Sequence, residues 1–138
     1  DIVHYKCPLK LRINQIISNI SIYLSKEGRK VIKMFSNIDK IDKDLLKNTN
    51  KNYGGEVALF VINSKYRGLG IGKKLFESLK SYMKNQNINE FFLYTDTSCN
   101  YGFYEHQKMI RKGERPHIYN MNNQYAKMTF FIYDYKML

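Results

Sequence analysis

Apolar residues fall at Leu11, Ile13, Ile16, Ile17, Ile20, Tyr23 and Leu24, the spacing that lays one stripe along a helix. Ser25 then reads as the N-cap of a second short helix running through Val31, Ile32, Met34 and Phe35. A third, weaker helical pattern covers Asp39 to Leu46, and "KNTNKNYGG", Lys47 to Gly55, has the Asn, Thr and Gly content of a loop. Residues 1–50 therefore read as a helical N-terminal segment, with a short strand at Ile2 to Tyr5.

The period changes at Glu56. "EVALFVI" is a continuous apolar run rich in branched and aromatic residues, which predicts a strand buried on both faces, as in a parallel sheet. "NSKYRGLGIG" follows as a turn and glycine loop. Leu75, Phe76, Leu79, Tyr82 and Met83 then repeat at helical intervals until "KNQNIN" ends the helix. "FFLYT", Phe91 to Thr95, is the next strand, so the stretch is a βαβ unit. "YGFYEH", Tyr101 to His106, predicts a short helix; "IRKGERPHIY" and "KMTFFIYDY" predict an antiparallel pair joined through "NMNNQ". The fold class is α+β: a mixed sheet with a βαβ unit over residues 56–138 and a C-terminal hairpin.

Composition sets the outer bounds. The 138 residues, 43% hydrophobic and 14% aromatic, suffice for one packed domain over residues 1–138, and no internal repeat or linker divides them. Nothing approaches the roughly 18 consecutive apolar residues of a membrane span, and no secretory h-region opens the chain, so no membrane partner and a cytoplasmic location are expected. Asp1, in place of methionine, is read as the start of a processed or truncated product. Cys7 and Cys99 have no CxxC neighbour and are expected to be reduced thiols. His4, His106 and His117 lack metal-site spacing, so no metal is expected. A net charge of +11 suits a nucleic-acid binder, but lysine is spread along an Asn- and Ile-rich chain and arginines are few. A phosphorylated small molecule would use the same charge.

The chemistry concentrates in "YRGLGIGKK", Tyr66 to Lys74. A helix that starts directly after a glycine loop leaves its first N–H groups unpaired, with the positive end of the macrodipole behind them. Glycine lets a phosphate approach that backbone without meeting a Cβ, and Arg67, Lys73 and Lys74 add mobile charge. Two familiar phosphate loops fail. A P-loop needs glycine where Arg67 stands and Ser or Thr where Lys74 stands, and the dinucleotide fingerprint needs glycine where Lys73 stands.

Arg67-x-x-Gly70-x-Gly72, set between a buried strand and an amphipathic helix, resembles the acetyl-CoA pyrophosphate loop of the GCN5-related N-acetyltransferase (GNAT) superfamily. A second element, "NYGFYEH", with Asn100 ahead of Phe103 and Tyr104, is similar to that family's Asn…Phe-Tyr arrangement after the following strand. The resemblance covers Glu56 to about Met109, and the terminal hairpin fits it too. It implies that the strands ending near Val61 and beginning at Phe91 diverge to admit the pantetheine arm. Main-chain groups of Phe60, Val61 and Ile62 would pair with the arm, and amides of Arg67, Gly68, Leu69, Gly70, Ile71, Gly72 and Lys73 would receive the pyrophosphate. Asn100 would bond to the pantetheine and Tyr104 would lie near the thioester sulfur.

The activity implied is acetyl transfer from acetyl-CoA directly to an amine of a small molecule or peptide. An alkylamine with a pKa of about 10.4 must lose a proton to attack, and a departing thiolate of pKa about 8.5 needs one. Tyr104 is the candidate acid, Glu56 the candidate base acting through water, and a strand N–H near Val61 would meet the charge on the carbonyl oxygen. The duller readings are a core aromatic for Tyr104 and a solvated edge residue for Glu56. Cys99 as a nucleophile with His106 or His117 as base lacks any pattern to fix it, and a free cysteine is more often a buried small hydrophobe. The alternatives are a module that holds acyl-CoA without catalysis and a basic nucleic-acid-binding domain. The acceptor amine is not legible, nor is the oligomeric state, a homodimer included.

Two departures from the family stand out. Where it carries a glycine after the tyrosine, this chain has Lys108, followed by Met109, so the turn there is expected to differ. The family opens with a strand, one or two helices and two further strands, whereas residues 2–50 read as mostly helical. Either those strands are missing or helices are inserted ahead of the core.

Overall fold

The computed structural model describes residues 22–121 and 124–137, with Leu9 and Ile20. The strand expected at Ile2 to Tyr5, residues 11–19 and 21 of the first helix expected over Leu11 to Leu24, Cys7, His4 and the middle of the "NMNNQ" turn lie outside these residues. The chain divides into two compact units, Asp1–Lys40 and Ile41–Leu138.

Ser25 Oγ accepts a hydrogen bond from the Gly28 amide at 2.8 Å, as the N-cap expectation requires. Helix α1 covers Lys26–Asn48, its residues 41–48 belonging to the second unit. The two helices expected here are one. Ser36 and Asn37 cost only a few tenths of a kcal/mol each in a helix interior, and no Gly or Pro stands between Phe35 and Asp39, where the break was expected.

The second unit is a four-stranded mixed sheet. Strands β1 (Gly55–Glu56), β2 (Glu90–Asp96), β3 (Ile110–Met121) and β4 (Gln124–Lys136) lie in the order β1-β2-β4-β3. β1 and β2 are parallel, joined through helix α2 (Ile71–Asn85); β4 pairs antiparallel with both β2 and β3. Helix α3 (Gly102–His106) fills the connection after β2. Phe91 and Leu93 of β2 and Phe131 and Tyr133 of β4 form one core with Phe76 and Met83 of α2, and Phe103 and Tyr104 of α3 pack against it. On the other face, Gly113 leaves room for Leu45, whose Cδ2 would stand 3.2 Å from an added Cβ. Tyr53 meets Phe92 there, and the buried Asp134 accepts from Lys51 Nζ at 2.9 Å and from the Tyr53 hydroxyl at 3.1 Å.

The strand expected over Glu56 to Ile62 needs correction. Its ladder with β2 is short, flanked by Gly54 N–H to Glu90 O and Val57 N–H to Phe92 O, both 2.9 Å. Residues 58–62 then leave β2. Nor is the run buried on both faces: Leu59 and Val61 are 80% and 69% exposed, while Val57 and Phe60 pack on the core. An unbroken apolar run carries no period, so it signals burial without saying which residues receive it.

Candidate functional site

The loop between β1 and α2 is built by local bonds. Asn63 Oδ1 accepts from the Lys65 amide at 3.0 Å and Asn63 O from the Tyr66 amide at 2.9 Å, closing a 3₁₀ turn over Ser64–Tyr66. Arg67 is extended, and Gly68 and Gly70 follow at φ 81° and 73°. An added Cβ would touch nothing at either glycine, so the left-handed backbone alone demands them. Gly72 is required for a different reason. A Cβ there would stand 3.1 Å from Ile62 Cδ1 and 3.2 Å from Phe103 Cε2, so its absence lets α2 close on both neighbours.

Gly70 is the N-cap of α2 and supplies no side-chain cap. The first helical bond runs from Lys74 N–H to Gly70 O at 3.1 Å, so the amides of Ile71, Gly72 and Lys73 precede it without an intrahelical acceptor. A 15-residue helix stands behind them with its dipole aligned toward the loop. Such an end accepts an anion.

The facing wall begins where β2 ends. Asp96 Oδ1 accepts from the amide and hydroxyl of Ser98, turning the chain through Cys99 and Asn100 into α3. Phe103 stacks on Phe60 at 5.5 Å, and Tyr104 packs between Phe60 at 6.2 Å and Tyr133 at 6.1 Å. Beyond α3, the Lys108 amide donates to Glu105 O at 2.9 Å and the Met109 amide to Tyr104 O at 3.0 Å, the paired bonds of a left-handed helix terminus. Lys108 sits at φ 64°. The turn keeps the shape a glycine would give, contrary to the expected local change.

Between these walls is a cleft of about 510 Å³. It brings together Phe60, Val61, Ile62, Arg67, Gly68, Gly70, Ile71, Gly72, Lys73, Asn100 and Tyr104. Leu69 and Glu56, also proposed from the sequence, are exposed and stand outside the lining. Tyr66, Ser98, Cys99 and Phe103 line it although they were not among the expected contacts. Phe103 was within the motif; Tyr66 and Ser98 carried no signal beyond adjacency. Cys99 is an exposed thiol. Neither proposed base joins it: His106 Nδ1 lies 2.6 Å from Gly102 O, and His117 is on β3 against Tyr119.

Burial pushes the Tyr104 hydroxyl above the ordinary tyrosine value, and the nearby Cys99 adds to the rise. It is therefore protonated at neutral pH. Next to it, the Tyr133 hydroxyl and Arg111 hold the Glu105 carboxyl below its usual range, while burial and donation to Glu105 push Tyr133 up to about 12. Among the described residues no group of three His, Cys, Asp or Glu side chains is placed to hold a metal, and no helix is long and apolar enough to cross a membrane.

A parallel pair that parts over a glycine-capped helix, closed on the far side by an antiparallel hairpin, defines an α+β protein of the acetyltransferase fold. Residues 34–109 match the Acetyltransferase (GNAT) family, more than half of the chain, and the chain belongs to that family, whose co-substrate is acetyl-CoA. Solved structures are similar over part of their length. A GNAT family acetyltransferase from Elizabethkingia anophelis with acetyl-CoA bound is 16% identical, with a TM-score of 0.47, over 62% of this chain and 63% of that one. Ard1 from Thermoplasma volcanium is 19% identical, with a TM-score of 0.49, over 60% and 54%. An N-acetyltransferase from Staphylococcus aureus Mu50 is 17% identical, with a TM-score of 0.47, over 59% and 50%. The chain thus spans about half to 63% of the length of these proteins. No curated protein matches it in sequence.

Proposed function

We propose that the protein is an acetyl-CoA-dependent N-acetyltransferase that moves the acetyl group directly to an amine of a small molecule or peptide. One observation carries this reading: the uncapped amides at the start of α2 and the Asn100/Tyr104 element, more than two dozen residues apart in sequence, open into the same cleft. The cleft fits the co-substrate's chemistry. The α2 amides, Arg67 and Lys73 receive the diphosphate. Main-chain groups of residues 60–62, which lie beyond the β1–β2 ladder, pair in this reading with the amides of the pantetheine arm as an added strand would.

The bound thioester supplies an acyl carbon open to attack. Carbon–nitrogen bond formation accompanies carbon–sulfur cleavage; the amine proton leaves through water, and the sulfur is protonated. A tyrosine above its ordinary pKa of about 10 gives its proton to a thiolate of about 8.5 only uphill. Tyr104 therefore acts first as a hydrogen-bond donor to the departing sulfur. An amide near Val61 faces the charge growing on the carbonyl oxygen. Glu56, exposed and off the lining, serves as base only through intervening water.

CoA is expected to raise the melting temperature, and Gly70→Glu to abolish that rise, because it puts both a strained side chain and a negative charge in the cradle. Tyr104→Phe is expected to keep CoA affinity and to lower turnover, read as thiol release across a panel of amines, by about a hundredfold. No shift with CoA or acetyl-CoA ends the reading. The position of Glu56 favours one rival, a domain that holds acyl-CoA without transferring it; CoA binding with no thiol release from any amine would select it.

A further inference from the structure

Two side chains from outside both motifs, Arg111 and Tyr133, bond to Glu105, the residue after Tyr104. Arg111, near the start of β3, donates through Nη2 to Glu105 Oε1 at 2.6 Å, through Nε to the Tyr133 hydroxyl at 2.9 Å and through Nη1 to Glu114 Oε2 at 3.0 Å. The Tyr133 hydroxyl in turn donates to the same Glu105 oxygen at 2.7 Å. The guanidinium lies over Phe131, 4.4 Å from the ring centroid, and 5.6 Å from those of Tyr101 and Tyr133. One cation therefore touches the residue that opens α3, the residue next to Tyr104, and the strand against which Tyr104 packs.

The backbone is shaped for this. The β3–β4 register is Arg111 with Tyr133 and then Gly113 with Ile132, so Lys112 is a bulge. In an unbroken strand, residues 111 and 113 would share a face. The bulge sends Arg111 to the α3 face with Tyr133, while Gly113 faces Leu45 on the opposite one. α3 needs such a tether, since five residues are too few to hold a helix by their own bonds.

We propose that Arg111 is a positioning residue for transfer: acting through Glu105 and Tyr133, it sets α3 so that the Tyr104 hydroxyl meets the departing sulfur. The proposal rests on the role given to Tyr104 above. Arg111 itself does not line the cleft. It is expected to govern the rate of transfer and to leave CoA binding alone.

A double-mutant cycle tests this. With the amine that wild-type protein acetylates fastest, Arg111→Met is expected to lower kcat roughly tenfold to a hundredfold, with the calorimetric Kd for CoA within about twofold of wild type. In a Tyr104→Phe background the same change should cost less than about twofold, because the group it positions is already gone. Tyr133→Phe keeps the buried ring and removes only the bridging hydroxyl, so it repeats the test should Arg111→Met fail to fold. Arg111→Lys is not expected to rescue, since one ammonium nitrogen cannot stand where three separate guanidinium nitrogens meet Tyr133, Glu114 and Glu105. Losses that multiply across the cycle, or a Kd that weakens along with kcat, overturn the proposal and leave the acetyltransferase reading standing. CoA binding without thiol release from any amine overturns both.

Discussion

Lys108 holds the left-handed backbone at φ 64°, where a Cβ crowds the following carbonyl at a cost of about 1–2 kcal/mol. It stays there because two amide bonds close α3 around it and Met109, buried at the next position, anchors the exit. Glycine would relieve the strain but give the unfolded chain more freedom, worth about 0.5–1 kcal/mol. Lys108→Gly is therefore expected to stabilise the protein by about 0.5–1 kcal/mol, read as a higher urea midpoint with an unchanged m value. The sequence reading identified the position and misjudged the outcome: residue type reports a preference, whereas the helix terminus and the buried methionine decide the dihedral.

At the scale of elements, α3 is where sequence reasoning stops. Its residues could be read, because Asn100, Phe103 and Tyr104 lie within five positions. Its tether could not, because Arg111 and Tyr133 are 22 residues apart and only a bulge in β3 puts them on one face. Glu105, the acceptor of that tether, gives it a pH dependence. Its carboxyl is held below the ordinary glutamate value of about 4.5, first by the Tyr133 hydroxyl and then by Arg111. The stability this contributes is fully present above that ordinary value and is lost as pH falls through the depressed one. Melting curves from pH 7 down to about 3 should show a decline on the acid side that is shallower in Glu105→Gln. An equal decline in both proteins would remove Glu105 as its source. The run after β1 gives a related lesson: its apolar residues 57–62 predict a strand, while their divergence from β2 was implied by the family resemblance alone.

For the whole molecule, the +11 charge acts at a distance, beyond the contact proposed for the glycine loop. A co-substrate carrying several phosphates is drawn by that field, and the field is screened within about 10 Å at 0.1 M salt. The CoA Kd is expected to weaken roughly threefold or more between about 50 mM and 0.5 M salt, a dependence that calorimetry at several ionic strengths measures. The α+β class and the order of the βαβ unit and hairpin were legible because each element has its own period and its own turn residues. The strand order adds something no local pattern could. β2 lies between a neighbour made before it and β4, which spans Gln124–Lys136. During synthesis, the central ladder must wait for residues some forty positions downstream, and loop closure over that distance is slow. The wall that carries Tyr104 is thus completed late, and in a nascent chain ending before β4 has emerged from the ribosome the glycine loop faces an unfinished sheet.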